Sequence, residues 1–288
     1  MTNRHLARSI AATWCFTLGI AHTARGQTAA IDPWKKVPAA PTTCFRDDAF
    51  DARLNATGQE LLADYDRQVA LNQRLTARFN SMEPMERMRR MQDFMLKNPQ
   101  AAAKMIEASA SLGSDASTSM VDVASTTERL EKELASQKQA FDAALDQALK
   151  PLLAKQEALV KTKTTLMGEA KVPAFTTDAA YAEYVAGIGE QNAESEKVCA
   201  AYYGPKGAFH GWLDRYRADV LDKKVAFAAR NDAALLQQVA IIETPDSRYV
   251  STGPFDAARE YVGRLDQVSR FRRPKATPTI PLDKRGGV

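Results

Sequence analysis

Five methionines, Met82, Met85, Met88, Met91 and Met95, recur at steps of three and four in SMEPMERMRRMQDFML, residues 81–96. Thioether sulfur is a soft donor that suits Cu(I), so this row is the first candidate for chemistry in the chain. On a helix turning 100° per residue, Met85, Met88, Met91 and Met95 cover an arc of about 120°, with Glu86, Arg87, Arg89, Arg90 and Asp93 largely opposite. Two functions fit such a face: a copper site, or an adaptable surface for other chains, since methionine is flexible and polarizable. The plain alternative is the greasy side of a packed helix. A straight stripe spreads its sulfurs along the axis, so one helix alone does not gather the donors of a closed metal site. The expectation is therefore burial as ordinary core.

The other chemistry-bearing residues are sparse. His210 is the one histidine that remains if residues 1–26 are removed, which excludes the usual zinc constellations and nearly every nucleophilic triad with histidine as base. Glu128, Glu131, Glu133, Asp142 and Asp146 alternate with lysines as solvated helix faces do. No Gly-rich phosphate loop, Gly-x-Ser-x-Gly elbow or calcium loop occurs, and no catalytic residue is assigned. YYGPKGAFHGWLDRYR, residues 202–217, gathers Tyr202, Tyr203, Phe209, Trp212 and Tyr216 around a helix break. Those rings could grip a sugar or a peptide, although aromatics at three- and four-residue steps commonly anchor a core. The basic C-terminal residues, Arg272 and Arg273 among them, could touch anionic lipid or an acidic partner.

Where the chain works is written at its start. MTNRHLARSIAATWCFTLGIAHTARG has Arg4 and Arg8 ahead of an apolar stretch and small residues at Ala24 and Gly26, the layout of a secretory signal peptide spanning residues 1–26. Its apolar stretch is too short to span a bilayer comfortably, and no later segment approaches the roughly 20 residues needed. The expectation is a periplasmic or secreted protein, not transmembrane once the leader is cleaved. The formal charge is +4, and loss of Arg4, Arg8 and Arg25 brings it to +1. Seven basic residues from Arg264 onward face only Asp266 and Asp283, which leaves the preceding body mildly acidic. That balance, with export, argues against nucleic acid as a partner.

Cys15 leaves with the leader, so Cys44 and Cys199 are expected to pair in an oxidising compartment. Closing so long a loop stabilises by about 5 kcal/mol in the chain-entropy model, an upper figure.

These residues must be held by helices. Residues 27–44 carry Pro33, Pro38 and Pro41 and read as an extended lead-in. Residues 45–201 read as a bundle of long helices. In the first, Leu54, Leu61, Tyr65, Val69, Leu75 and Phe79 share a side. Pro84 opens the methionine segment, and an alanine-rich helix follows Pro99. The longest helix, about 115–169, carries a seam from Val123 through Leu130, Leu134, Phe141, Ala144, Ala148, Leu152, Leu159 and Leu166. Such a seam asks for a partner helix, in the same chain or in a second copy. It stays in phase across Pro151, which predicts a kink and no reversal. Thr176 or Thr177 starts the helix that ends near Cys199. Residues 202–272 read as a smaller helical portion, and residues 273–288 as a disordered basic tail.

The fold class expected is all-α, an elongated antiparallel helical bundle or coiled-coil-like hairpin with a smaller C-terminal helical portion. The function expected is that of a non-enzymatic exported protein that binds or organises other envelope proteins or polymers, within a secretion or surface assembly. Two alternatives stand beside it: a methionine-rich copper-binding or chaperone-like stress protein, and an envelope-polymer hydrolase. Copper is the one cofactor considered.

Overall fold

The computed structural model describes residues 32–100, 103, 116–242 and 250–283. The expected signal peptide, the greater part of the expected alanine-rich helix, and Lys284 and Arg285 lie outside the described residues.

The architecture is all-α with one small hairpin. A 3-10 turn, Pro33–Lys36, precedes α1, Asp48–Ser81. Asp47 caps α1, its carboxylate accepting from the amides of Ala49 and Phe50, which answers two of the four unpaired donors at a helix start. Next come α2, Pro84–Lys97, and α3, Ala116–Lys163. Strands β1, Thr164–Met167, and β2, Val172–Phe175, lead into α4, Asp178–Tyr203. Then α5, Ala208–Tyr216, runs through a π-helical turn, Arg217–Leu221, into α6, Asp222–Ala240, and α7, Gly253–Ser269, completes the set.

Helix α3 is continuous through Pro151, as the unbroken phase of its stripe requires. Val123, Leu130, Leu134 and Phe141 are buried from one end of the seam, and Leu145 and Leu149 continue it in place of the half-buried Ala144 and Ala148. From Val123 to Leu145 the buried side chains pack with Cys199 and Tyr203 of α4, Phe209, Trp212 and Tyr216 of α5, and Val262 and Leu265 of α7. Over this stretch the seam finds its partner helices within the same chain. The π turn matters to that packing. Its extra residue rotates the chain so that both Val220 and Leu221 face the core.

The long helix ends earlier than its pattern suggests. At Thr164 the chain leaves helical geometry, β1 pairs antiparallel with β2 from Thr164 opposite Phe175 to Met167 opposite Val172, and Leu166 is 66% exposed. Gly168 at φ 68° and Lys171 at φ 48° make the reversal. Positive φ is free for glycine and costs other residues about 1–2 kcal/mol, so Lys171 holds a mildly strained corner.

The Cys44–Cys199 disulfide is present, with Cα atoms 5.5 Å apart and both residues buried. It ties the lead-in to α4. Directly beside it, Arg273 donates its amide to the Cys44 carbonyl at 2.8 Å and accepts from the Arg46 amide at 2.9 Å.

Residues 274–283, expected to be disordered, instead form an extended strap. The Asn192 side chain brackets Ala276, and the Tyr184 hydroxyl accepts from the Thr279 amide at 3.3 Å. Phe175 and Leu282 then form a parallel bridge, the Phe175 amide giving to Pro281 and its carbonyl receiving from Asp283. Ala276, Ile280 and Leu282 cover a second apolar cluster of Phe175, Ala180, Tyr184 and Ile188. Proline-rich chain needs no hydrogen-bond ladder of its own when side chains of a helix supply its partners, and that is why the tail orders.

Candidate functional site

The surface that stands out is α2. Pro84 sits in its first turn, where the missing amide would be unpaired anyway, and Asn98 closes it by donating its amide to the Phe94 carbonyl at 2.9 Å. Arg90 fixes the charged side: it pairs with Glu86 at 2.7 Å and reaches the Ile241 carbonyl at 3.4 Å. Arg87 lies over the Phe79 ring, 5.4 Å from its centroid. Arg87 and Arg90 thus turn toward neighbouring parts of the chain, while Arg89 is exposed.

The methionines are left outside. Met85 is 75% exposed, Met88 56% and Met95 41%, Met91 is half-buried, and no residue of α2 is buried. This corrects the expectation of ordinary core, because periodicity shows that apolar residues share a face and not what covers it. Leu96, at 81% exposure, extends the patch.

The aromatic cluster does the reverse. Tyr203, Phe209, Trp212 and Tyr216 have essentially no exposed surface, and Tyr202 is half-buried, so their rings offer no platform to a sugar or peptide. Phe141 meets Tyr202, Tyr203 and Phe209 at centroid distances of 5.0–5.8 Å, and Trp212 stacks on Tyr216 at 5.1 Å. Their polar tips are spent inward as well. Trp212 donates to the Leu130 carbonyl at 2.6 Å, and Tyr203 to the Val268 carbonyl at 3.0 Å. Tyr216 donates to Glu260 and accepts from Arg264 at 2.9 Å.

Arg272 also moves from surface to interior. It is 2% exposed, pairs with Asp51, contacts the Ser269 hydroxyl and lies over the Phe50 ring at 4.8 Å. A buried charge is tolerated only when paired and hydrogen-bonded in this way. Arg273 is engaged through its backbone with Cys44 and Arg46. Arg272 is therefore not placed to meet an anionic surface in the manner expected, and Arg273 is half-buried. His210 rests its Nε2 against the Pro41 carbonyl at 3.1 Å, a tie between α5 and the lead-in.

Titration in this region follows from the same packing. Burial pushes the Tyr203 and Tyr216 hydroxyls far above their ordinary range, and for Tyr216 the bond to Glu260 adds to the rise. Burial also pushes the Glu260 carboxyl up, yet the hydrogen bonds from Lys224 and Tyr216 outweigh it and hold the group below its ordinary value.

An open groove of about 490 Å³ runs along α1, lined by Val69, Asn72, Gln73, Thr76, Ala77, Asn80 and Thr252. Among the described residues its lining offers amides and hydroxyls but no carboxylate. Among the described residues no group of three or more His, Cys, Asp or Glu is placed to hold a metal ion, and no helix is long and apolar enough to cross a membrane. No family model, no curated protein and no solved structure matches the chain.

Proposed function

We propose that this chain is an exported, non-enzymatic binding protein of the cell envelope that engages apolar segments of other polypeptides through the methionine face of α2. One observation carries the reading: Met85, Met88, Met95 and Leu96 are exposed together on a helix whose Arg90 turns away from them, to Glu86 and the Ile241 carbonyl. A contiguous apolar patch on an otherwise polar helix costs solubility and is retained where something binds it. Unbranched thioether side chains suit partners of varied shape, because they repack at little cost.

Export rests on the reading of residues 1–26, and the bridged Cys44 and Cys199 fit an oxidising compartment. The binding reading gains over the hydrolase reading because the aromatic cluster is committed to the core and the described lining of the α1 groove holds no carboxylate.

The test is direct. A reduced, unfolded reporter polypeptide is titrated with purified protein and followed by fluorescence anisotropy. Wild type is expected to bind, and the Met85→Glu/Met88→Glu/Met95→Glu variant to lose at least about tenfold in affinity, as removal of a central apolar anchor does. Equal binding by the two proteins would remove the proposal.

A further inference from the structure

Adaptable docking uses the flexibility of the methionines on α2, whereas their sulfur offers a second property that leucine, as good a helix former, would lack. Five of the nine methionines in the chain fall between positions 82 and 95. The geometry points to a second property of the same helix: Met88, Met91 and Met95 form a thioether site for a single Cu(I) ion. This inference goes beyond the docking reading and does not depend on it.

Consider first the placement of the donors. Met88 and Met91 are three residues apart and Met91 and Met95 four, the two spacings that make nearest neighbours on a helix surface. At 1.5 Å per residue they rise about 4.5 and 6 Å, and all three fall within an arc of about 60°. Met91, half-buried, lies along the axis between the exposed Met88 and Met95. Three rotatable bonds let Met88 and Met95 swing along the axis and bring their sulfurs over Met91. Four sulfurs in a straight row do not close around a tetrahedral ion. A soft d10 ion that accepts fewer donors needs no such closure, and thioethers select it over harder divalent ions.

The surroundings leave a cation room. Arg87 is drawn over the Phe79 ring, and Arg90 is neutralised by Glu86 and bound to the Ile241 carbonyl. Arg89 and Asp93 project from the far side of the helix by their spacing. Rival soft donors are withdrawn. Cys44 and Cys199 are bridged, and His210 rests against the Pro41 carbonyl. The lack of any His, Cys, Asp or Glu cluster among the described residues leaves the thioethers as the best soft-metal donors there.

The experiment uses purified protein with methyl-labelled methionine, under anaerobic ascorbate, with Cu(I) delivered from a colorimetric chelator of known affinity. The expected result is withdrawal of one equivalent of Cu(I) and movement of the methyl resonances of Met88, Met91 and Met95. Zn(II) is expected to move none of them. The Met88→Leu/Met91→Leu/Met95→Leu variant keeps the apolar face and the fold. It should bind Cu(I) at least about tenfold more weakly, since removing even an outer partner of a ligand costs that much. Copper withdrawal undiminished in the leucine variant, or methyl resonances that stay in place as copper is taken up, would overturn the inference. The two readings fail separately, because leucine removes the sulfur and keeps the grease, whereas the glutamate variant above removes the grease.

Discussion

Asn192 holds Ala276 by both of its backbone groups: Nδ2 donates to the Ala276 carbonyl at 2.9 Å and Oδ1 accepts from the Ala276 amide at 2.9 Å. One side chain thus plays the part of a neighbouring strand. Replacing it with alanine leaves both groups without a protein partner, at a cost of about 1 kcal/mol for each bond. Asn192→Ala is expected to release residues 276–283, read as faster amide exchange and earlier proteolysis there, with α4 unchanged. Exchange rates equal to wild type would show that the strap is held by its apolar residues alone.

The exposure of α2 and the burial of α5 predict opposite costs for substitution. Met85→Glu with Met88→Glu should change unfolding free energy by no more than about 0.5 kcal/mol per site, as surface changes do. Phe209→Ala, which empties a fully buried position, should cost about 3–5 kcal/mol. Urea denaturation measures both. A large loss from the methionine changes would mean that the face is covered after all.

The bridge between Cys44 and Cys199 closes a loop across a sequence separation of 155. Cys44→Ser is expected to lower stability by up to about 5 kcal/mol, the chain-entropy limit for a loop of this length. Thermal unfolding of the variant, compared with wild type before and after a reductant, checks it. Reduction should bring wild type close to the variant and leave the variant where it was.

Two groups make stability depend on pH in opposite directions. The Glu260 carboxyl lies below its ordinary value in the fold, so its contribution is present above the normal carboxylate range and lost as pH falls through the lowered value. The Tyr216 hydroxyl is raised, so its contribution is full below about pH 10, the ordinary tyrosine value, and lost as pH rises toward the folded one. Urea melts across this range should show both slopes. Glu260→Gln should flatten the acid side and Tyr216→Phe the alkaline side; slopes unchanged by either substitution would assign them to other groups.

Much of the helical frame was legible in the residues. Thr177, one of the two starts read for α4, is its cap, the stripe of α3 ran in phase past Pro151, and Cys44 and Cys199 left one pairing to consider once the expected leader was set aside. The hairpin was not legible, because four-residue strands such as TTLM carry too little period to separate from the end of a helix. The strap was hidden for another reason: Asn192 and Ala276 are 84 residues apart, and nothing local to the tail announces the helix that binds it. Arg272 looked like tail charge, but its partner Asp51 is 221 residues away. The methionine row was found by spacing alone, while its exposure depended on which side of α2 Arg90 turns toward the body.

The parallel bridge between Phe45 and Arg273 joins the beginning of the folded body to nearly its last residues. A chain delivered with its N-terminus leading must therefore wait: this corner cannot form until position 273 has arrived, however early Cys44 emerged. The earliest moment of closure is thus set by the more distant of the two bridge partners, after the whole length between them has passed through.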